Sequence, residues 1–402
     1  MILLRTLVTD GLAALAVVGA LQVLAGWLAV VRFARRHRNA TDQAPPISVL
    51  KPLHGAEPLL AEALTTLCEQ DFPADFQIVF GVNDATDAAI PVVQALRANY
   101  PNRDIALVVD PTPHGSNPKI GNLINMLPAA RHDTLVIADS DVHARPDYLR
   151  RLADALARPG VGLVTTLYTG LPAFRSMIGT LGATQITHGF LPGVLLGRAL
   201  GRRDCLGATM CLRRETLARI GGLEALRNYL ADDNMLGRFV RAAGLDVALA
   251  DTVVATTVAE RRLAPLWRHE LRWARTMRSL APAEFACSAV QYPLFWALLA
   301  VLASGGAGWT WALAIGIWAI RAISVLGIDS ALHDRPGGLA NPSPVWLLPV
   351  RDVLSAAEWV VSHGGRRVDW RGHTLEADKP RPRGVTSEGR SPERLTTKGS
   401  HA

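Results

Sequence analysis

The stretch Thr134-Leu-Val-Ile-Ala-Asp-Ser-Asp141 places an apolar, β-branched run directly before two carboxylates. Its short length and its β-branched content predict a buried strand that ends at Ala138. Two carboxylates separated by one residue can face a single ligand where the backbone turns at a strand end. Oxygen ligands with open positions suit Mg²⁺ or Mn²⁺, so Asp139 and Asp141 are candidate metal ligands. The alternative is a solvated turn with a helix cap.

Short apolar runs of this kind alternate with helical patterns over residues 46–258. Strands are predicted at 47–50, 77–82, 105–109, 135–138 and 161–166, and helices at 59–69, 91–99 and 146–157. Strand–helix alternation predicts an α/β domain with a mostly parallel sheet and helices on both faces. Such sheets bind ligands at the carboxyl ends of their strands.

Polar residues that suit a nucleotide follow other strands of this domain. Asp84 comes after the run 77–83 and can accept hydrogen bonds from a base or a ribose. Asp87 is a candidate contact or the N-cap of the next helix. Lys119 can meet a phosphate, and Asn122 can hold the nucleotide by its amide. For Lys119 the alternative is a loop lysine before a helix.

Asp232 and Asp233 precede a short helix that ends near Gly244. Acids at a helix N-terminus are stabilised by the helix dipole, which accounts for one of the two as a cap. The other can take a proton from an attacking hydroxyl group, and we favour Asp233 as this base. His188 lies before an apolar run at 190–196, and a lone histidine is more often structural.

Apolar segments flank the domain on both sides. Leu12–Val31 has the length of a membrane-spanning helix, with Gln22 as its polar exception, and residues 1–38 form a predicted anchor. Arginines follow it at once, so the positive-inside rule places the domain in the cytoplasm. Residues 286–365 carry further membrane segments, and 378–402 form a predicted disordered tail.

The C-terminal membrane segments differ in character. The runs 289–303 and 309–326 predict a transmembrane hairpin, with Arg321 snorkelling to the interface. The segment 345–361 carries Arg351 and Glu358, which are costly at mid-bilayer, and is predicted to be interfacial or re-entrant.

Residues 259–285 contain a basic amphipathic stretch at 263–280 that suits the membrane interface. Arg272 on this stretch can hold a diphosphate, and Trp273 can pack against a sugar or the acceptor. The alternative for the pair is a membrane anchor.

The composition narrows the function classes. The 402 residues are 49% hydrophobic and 19% charged, with a net charge of +7. Arginines beside apolar segments favour an anionic lipid surface over nucleic acid. The four cysteines have neither metal-ligand spacing nor the density of a disulfide framework. No Gly-x-Gly-x-x-Gly turn follows the first strand, which excludes a dehydrogenase.

In this order the motifs resemble the family 2 glycosyltransferases, closest to the ceramide glucosyltransferases and the hopanoid-biosynthesis-associated glycosyltransferases. The matching stretches are Val82-Asn-Asp84, Asn117-Pro-Lys119 with Asn122-Leu123, Ala138-Asp-Ser-Asp141, Ala231-Asp-Asp233 and Leu271-Arg-Trp273. The resemblance implies a GT-A-type domain and an inverting hexosyltransferase with Asp233 as base. It implies that Asp139 and Asp141 hold a divalent metal, Mg²⁺ or Mn²⁺. The residues predicted to contact the donor are Asp84, Asp87, Lys119, Asn122, Asp139, His188, Asp232, His269, Arg272 and Trp273.

One position departs from the family pattern. His269 replaces the first residue of the closing (Gln/Arg)-x-x-Arg-Trp motif, and a histidine can still donate to a phosphate. His-x-x-Arg-Trp is typical of the hopanoid-associated members. Their likeness implies UDP-N-acetylglucosamine as donor, a hopanoid such as bacteriohopanetetrol as acceptor, and a multi-pass protein of the bacterial inner membrane. Three alternatives stay open: a ceramide glucosyltransferase, a processive polysaccharide synthase with more membrane spans, and a membrane-tethered nucleotide-sugar sensor.

Overall fold

The computed structural model describes residues 2–36, 44–336 and 343–365, together with the backbone of 367–370 and 373–376. The predicted tail at 378–402 and the last two residues of the predicted anchor lie outside this range. The strands are β1 (Ile47–Pro52), β2 (Phe76–Val82), β3 (Asp104–Val109), β4 (Thr134–Ala138), β5 (Val142–His143), β6 (Val161–Pro172), β7 (Thr209–Arg213), β8 (Asp246–Val258), β9 (Arg367–Trp370) and β10 (His373–Glu376).

Along the chain, the first helix precedes the strands of the central sheet and the last five described helices follow them. They are α1 (Ile2–Ala34), α2 (Leu60–Cys68), α3 (Ala89–Asn99), α4 (Pro118–Met126), α5 (Tyr148–Leu156), α6 (Met177–Gln185), α7 (Leu191–Ala199), α8 (Arg214–Arg219), α9 (Asp232–Ala242), α10 (Leu263–Leu280), α11 (Pro282–Cys287), α12 (Pro293–Ser304), α13 (Gly308–Ala331) and α14 (Leu348–Ser362). A π-helical turn, Ile186–Phe190, joins α6 to α7. Short 3-10 turns occur at Leu127–Ala129, Leu223–Leu226, Ser288–Gln291 and Val345–Leu347.

The central sheet has the strand order β3-β2-β1-β4-β7-β6-β8-β5. Its first half, from β3 to β4, is parallel. Strand β7 is antiparallel to both β4 and β6, and β5 is antiparallel to β8. The predicted α/β class with a mostly parallel sheet is therefore confirmed, because β1 to β4, β6 and β8 all run in one direction. The two reversed strands are β7, which lies between β4 and β6, and the short edge strand β5.

Both faces of the sheet are covered by helices, as predicted. Successive residues of a strand point to opposite faces: Val49 of β1 packs with α2, α3 and α5, whereas its neighbour Leu50 packs with α4 and α9. Strand β2 repeats this, with Ile78 on the first face and Val79 on the second. All four residues are fully buried, which fixes the register of the parallel half.

Two described helices, α1 and α13, are long and apolar enough to cross a membrane. The predicted first arm of the hairpin is shorter than expected, because α12 begins at Pro293 and has 12 residues, about 18 Å of helix. Helices α11 and α12 qualify only together, and they meet at an angle of 63°. Proline suits the first turn of a helix, so Pro293 starts α12 and breaks the run.

Two arginines near these helices, Arg321 and Arg351, are buried in ion pairs. Arg321 of α13 lies 3.1 Å from Asp352 of α14, so it does not snorkel to an interface. Arg351 of α14 contacts Glu270 of α10 at 3.0 Å and Glu358 at 3.1 Å. These pairs attach α14 to α13 and α10, and they account for the charges that the sequence places in the segment 345–361.

Candidate active site

A lysine joins two of the predicted acidic motifs at the carboxyl edge of the sheet. The Lys119 Nζ atom lies 2.7 Å from Asp139 Oδ1, after β4, and 3.4 Å from Asp232 Oδ2, at the start of α9. Burial opposes the charge on Lys119, but the two aspartates outweigh it and raise the pKa of the ammonium above its usual value. Residues about 90 positions apart in sequence are thereby brought into one site.

The position of Lys119 is set by the start of α4. Asn117 caps this helix, since its side-chain oxygen accepts hydrogen bonds from the Lys119 and Ile120 backbone N–H groups. Pro118 occupies the first helical turn. The Asn117 amide also donates to the Tyr229 carbonyl at 2.7 Å, which ties α4 to the segment before Asp232. The sequence indicated Asn117 only as part of a motif, and its joining role comes from the structure.

Asp141 is the more buried of the two predicted metal ligands. Its carboxylate accepts a hydrogen bond from the Thr256 hydroxyl of β8. Burial, followed by the nearby charge of Asp139, raises the pKa of Asp141 to about 6. Glu57 adds a further negative charge and accepts a 2.6 Å hydrogen bond from the Ser140 hydroxyl. Glu57 was not predicted as a site residue, because it lies in a loop without a motif.

A second lysine, Lys51, lies beneath these carboxylates and was also missed. Its side chain is fully buried in β1, and its Nζ atom donates to the Val142 carbonyl at 3.2 Å. Burial lowers the pKa of Lys51 to about 8, although Asp141 and Asp139 act in the opposite direction. Lys51 could have been predicted, because a lysine is unusual in a strand whose other residues are typical of the core.

Asp233 lies beside Asp232 at the start of α9 but is held differently. Within the described part of the chain, its carboxylate accepts one hydrogen bond, from the Asn234 backbone N–H at 2.7 Å. Burial, followed by repulsion from Asp232, raises the pKa of Asp233 to about 7. Gly207 faces it: a Cβ atom added there would lie 3.0 Å from Asp233 Oδ2. Glycine therefore leaves room beside this carboxylate.

Tyr168 of β6 is a further site residue that the sequence did not indicate. Burial raises the pKa of its hydroxyl group, and Asp233, Asp139 and Asp141 raise it further. Its ring packs on Phe190 with 4.9 Å between centroids. Tyr168 thus packs on the π-helical turn and is influenced by the charges of the carboxylates. It was not predicted because its strand appeared purely structural.

The motif on α10 approaches the same region. Helix α10 covers Leu263–Leu280, the bounds predicted for the basic amphipathic stretch. The ring of His269 lies 4.6 Å from that of Trp273, and its Nδ1 atom is 2.7 Å from Glu260 Oε1. The positive charge of Arg272 acts on Tyr168. Glu260, which fixes the orientation of His269, was not identified from the sequence.

Two residues predicted to contact the donor are held by the protein itself. The Asn122 side chain is 3% exposed, and its amide nitrogen donates to the Gly81 carbonyl at 2.8 Å. Both oxygens of Asp87 accept from the Gly55 backbone N–H, and one also accepts from that of Ala89 at the start of α3. Their contacts in the structure are those of a helix tie and a helix cap.

Asp84 and His188 lie apart from the Lys119 cluster in different ways. Asp84 is exposed after β2, and hydrogen bonds from the Thr86 backbone and hydroxyl lower the pKa of its carboxyl group. His188 is buried in the π-helical turn, with its Nε2 atom 3.0 Å from Asp329 Oδ1 of α13. The recorded contacts of His188 therefore attach the domain to a membrane helix.

The carboxylates can accept a divalent cation only as part of a larger ligand set. Among the described residues, no group of three or more His, Cys, Asp and Glu side chains is arranged to hold a metal by itself. Asp139 and Asp141 do crowd negative charge, as the raised pKa of Asp141 indicates. A cation held by these two and by phosphate oxygens would relieve that repulsion, so the residues present fit such an ion.

Known glycosyltransferases are similar to this chain in sequence. The profile of the family described as "Glycosyl transferase family 21" matches residues 11–381. Ceramide glucosyltransferase 1 of Caenorhabditis elegans is 25% identical over 59% of this chain and 51% of its own length. Ceramide glucosyltransferase 3 of the same organism is 24% identical over 63% and 56%. The chain thus spans about half the length of these relatives.

Among solved structures, the mannosyltransferase PcManGT of Pyrobaculum calidifontis, in complex with GDP-Man and Mn²⁺, is 20% identical. It matches 87% of this chain and 99% of its own, with a TM-score of 0.47.

Proposed function

The chain belongs to glycosyl transferase family 21, and from this we propose that it transfers a sugar from a nucleotide-sugar donor to a hydroxyl group of a membrane lipid. The predicted likeness to ceramide glucosyltransferases is confirmed, and the family number is corrected from 2 to 21. The GT-A-type α/β domain and its flanking membrane helices agree with the predicted architecture. A domain that binds a soluble donor is held at the bilayer because its acceptor stays there.

One observation carries this proposal: Lys119 gathers Asp139 and Asp232 at the edge of the sheet, and Asp233 stands beside them with space at Gly207. A cation and acids at a strand edge suit a diphosphate, which binds positive charge directly or through a metal. The adjacent carboxylate suits a proton acceptor. A binding protein needs only the first of these features, which argues against the nucleotide-sugar sensor.

On the donor side, Asp84 follows β2 at the expected place for a nucleoside contact, and its free lone pairs face solvent. Asp139 and Asp141 would hold Mg²⁺ or Mn²⁺, which neutralises charge on a departing diphosphate when bound. Lys119, Arg272 and His269 supply positive charge or hydrogen bonds to the same group. Asn122 could meet the donor through its Oδ1 atom, which is buried and has no hydrogen-bond partner among the described residues. Asp87 already accepts the backbone hydrogen bonds described above.

Asp233 acts as the base in this proposal. A pKa raised to about 7 leaves its carboxylate able to take a proton from a lipid hydroxyl at neutral pH. The hydroxyl oxygen then bonds to the anomeric carbon while the bond from that carbon to the diphosphate breaks. A single displacement of this kind inverts the anomeric centre, and it needs no covalent enzyme intermediate.

Two lipid acceptors are compatible with this site. The motif around His269 favours UDP-N-acetylglucosamine with a hopanoid such as bacteriohopanetetrol. The relatives' names favour glucose as the sugar and ceramide as the acceptor. In the hopanoid case the protein acts on the cytoplasmic face of a bacterial inner membrane. A processive polysaccharide synthase is less suited, because the described helices supply two candidate spans, or three with the bent pair.

The test is product analysis by mass spectrometry. Purified full-length protein in lipid nanodiscs is offered UDP-glucose and UDP-N-acetylglucosamine together, with ceramide and bacteriohopanetetrol as acceptors and Mg²⁺ or Mn²⁺ present. We expect one lipid to gain a single sugar. A polymeric product would establish the synthase instead, and donor binding without any product would establish the sensor.

A further inference from the structure

An apolar groove runs between the two membrane-spanning helices. Its volume is about 340 Å³, within the range of small-molecule sites. The groove is lined from α1 by Val17, Leu21 and Leu24, and from α13 by Leu313, Gly316 and Ile320. We call it the α1–α13 groove. Because both helices are of spanning length and composition, the groove lies at membrane depth, where hydrocarbon chains surround it.

A small polar cavity adjoins this groove. Its volume is about 30 Å³, and its polar lining comes from Gln22 of α1, His188 of the π-helical turn, Gln291 and Arg321 of α13. We call it the Gln22 cavity. Cavities of this size admit polar atoms or water only where polar partners are present, as they are here.

The two spaces follow each other along the same pair of helices. Helices α1 and α13 run in the same direction, since Ala16 packs near Ala314, and Val30 packs near Ile328 further along both helices. Gln22 overlaps the inner end of the groove on α1, and Arg321 directly follows Ile320 on α13. The groove therefore ends at the Gln22 cavity, on the side of the α/β domain.

Gln22 is the polar exception in an otherwise apolar helix. Its side chain forms no hydrogen bond with any other residue in the described part of the chain. Polar groups inside a membrane are costly and commonly mark a substrate path. The charges nearby are already neutralised, because Arg321 donates to Asp352 and His188 pairs with Asp329. The groups left to form hydrogen bonds with a ligand in the cavity are neutral side-chain amides. They suit an uncharged lipid head with hydroxyl or amide groups.

The Gln22 cavity is also close to the proposed base. Phe190 lies two residues after His188, and its ring packs on Tyr168 at 4.9 Å. Leu206 belongs to the same apolar cluster as this aromatic pair, and it directly precedes Gly207, which faces Asp233. Packing thus connects the segment that lines the cavity with the segment beside the proposed base, so a lipid head held at Gln22 lies on the side of the molecule where transfer occurs.

We propose that the α1–α13 groove and the Gln22 cavity together bind the acceptor lipid, with a hydrocarbon chain in the groove and an uncharged polar head at the Gln22 amide. The inference rests on the proposed transfer to a lipid hydroxyl, and it adds where the acceptor binds. The apolar groove can bind any hydrocarbon chain, whereas the polar head must form hydrogen bonds with the Gln22 and Gln291 side chains. The pair of spaces therefore selects neutral amphipathic lipids over anionic ones.

Two substitutions test the site by kinetics. Gly316→Leu places a side chain in the groove, where an added Cβ atom meets nothing within 4 Å, so the fold accommodates it. Gln22→Leu removes the amide at similar size. The matched control is Gly11→Leu on the exposed surface of α1, where an added Cβ atom also meets nothing within 4 Å. With ceramide as the acceptor probe, we expect the KM for ceramide to rise about tenfold in Gly316→Leu and about threefold to tenfold in Gln22→Leu.

The KM for the nucleotide sugar stays unchanged in all three variants, and Gly11→Leu keeps the wild-type KM for ceramide. If Gly316→Leu and Gly11→Leu have the same KM for ceramide, the groove does not bind the acceptor.

Cross-linking provides a readout that does not depend on turnover. Wild-type protein in nanodiscs is irradiated with a ceramide that carries a diazirine in its chain, and the labelled peptides are identified by mass spectrometry. We expect labels at residues 17–24 and 312–320 that unlabelled ceramide removes. Labels spread equally over the exposed surface around Gly11, with no competition, would show ordinary lipid contact and overturn the site.

The two proposals fail separately. A wild-type protein that transfers no sugar to any lipid overturns the proposed function, and competed cross-links would then still locate a lipid site. A protein that transfers sugar with an unaltered KM for ceramide in Gly316→Leu and Gln22→Leu keeps its function and loses this site.

Discussion

Buried charges occur in two regions of this molecule, and they are arranged in opposite ways. Beside the membrane helices the buried arginines are paired with carboxylates, as in Arg321 with Asp352 at 3.1 Å and Arg351 with both Glu270 and Glu358. At the edge of the sheet the carboxylates crowd one another, and the pKa values of Asp141 and Asp233 rise to about 6 and about 7. Paired charges hold helices together, whereas crowded charges of one sign need a ligand to complete them.

The largest effect is expected from the crowded region. Asp233→Asn removes the proposed base at almost constant shape, so turnover should fall by about 10²–10⁴-fold. The KM for the nucleotide sugar and the midpoint of thermal unfolding should stay near wild type. Steady-state kinetics and thermal unfolding in detergent measure these quantities.

Asp232→Asn is the matched control for this variant. It removes the carboxylate that contacts Lys119 and should raise the KM for the donor as well. Wild-type turnover in Asp233→Asn would mean that the proton acceptor is another residue.

The paired region should respond in stability rather than in chemistry. Arg351→Met leaves Glu270 and Glu358 buried without their partner, so the free energy of unfolding should fall by about 3–5 kcal/mol. Chemical unfolding of the purified protein in detergent measures the change.

Combining Arg351→Met with Glu270→Gln and Glu358→Gln removes the uncompensated charges and should restore much of the loss. Unchanged stability in the single variant would show that these contacts do not hold α14 in place.

The pH dependence of turnover below pH 7 should report Asp233. Since the pKa of Asp233 is raised to about 7, its active carboxylate form is lost as the pH falls, and turnover should drop about tenfold per pH unit below 7. The folded protein binds this proton more tightly than the unfolded chain does. The group therefore makes folding less favourable as the pH rises from about 4 to about 7.

The residual activity of Asp233→Asn should lack this acidic limb. A wild-type rate that is flat between pH 5 and 8 would argue against a base with this pKa.

The smallest effect is expected at Asn122, which was predicted to contact the nucleotide sugar. In the structure its amide nitrogen bonds to the protein backbone. Asn122→Ala removes one of the two hydrogen bonds to the buried Gly81 carbonyl, which keeps the one from the Leu53 backbone N–H, so the free energy of unfolding should fall by about 1 kcal/mol. The KM for the nucleotide sugar should not change. Lys119→Met, which empties the centre of the cluster, is the contrasting variant and should raise that KM. An increased KM in Asn122→Ala alone would restore its predicted role.

The sequence predicted the parallel half of the sheet well, because each strand there is a short β-branched run that needs no distant partner to be recognised. It missed β7 and β8 as strands. The residues of β8 include Asp246 and Asp251, which interrupt its apolar pattern. Strand β7 is set by its neighbours, since it fills the position between β4 and β6.

The sequence predicted that Asp139 and Asp232 lie in one site, but it did not predict the contacts that join them. The motifs predicted acids at strand ends, and the structure adds that Lys119 joins them. Lys51 was missed because a lysine in a strand reads as an exception to the core rather than as a member of a site. Arg321 was misread for a similar reason, since its partner Asp352 lies 31 positions away and no local pattern links them.

The packing of α1 against the last helices has a consequence for biosynthesis. The Arg5 side chain donates to the Ala303 carbonyl, 298 positions along the chain. At a synthesis rate of 5–20 residues per second, the first helix therefore waits roughly 15–60 s in the bilayer before its partners emerge from the ribosome. During this interval Gln22 faces lipid alone. Helices α1, α12 and α13 can therefore assemble only after the intervening domain has been synthesised. Docking of the first helix against the other two is a late step.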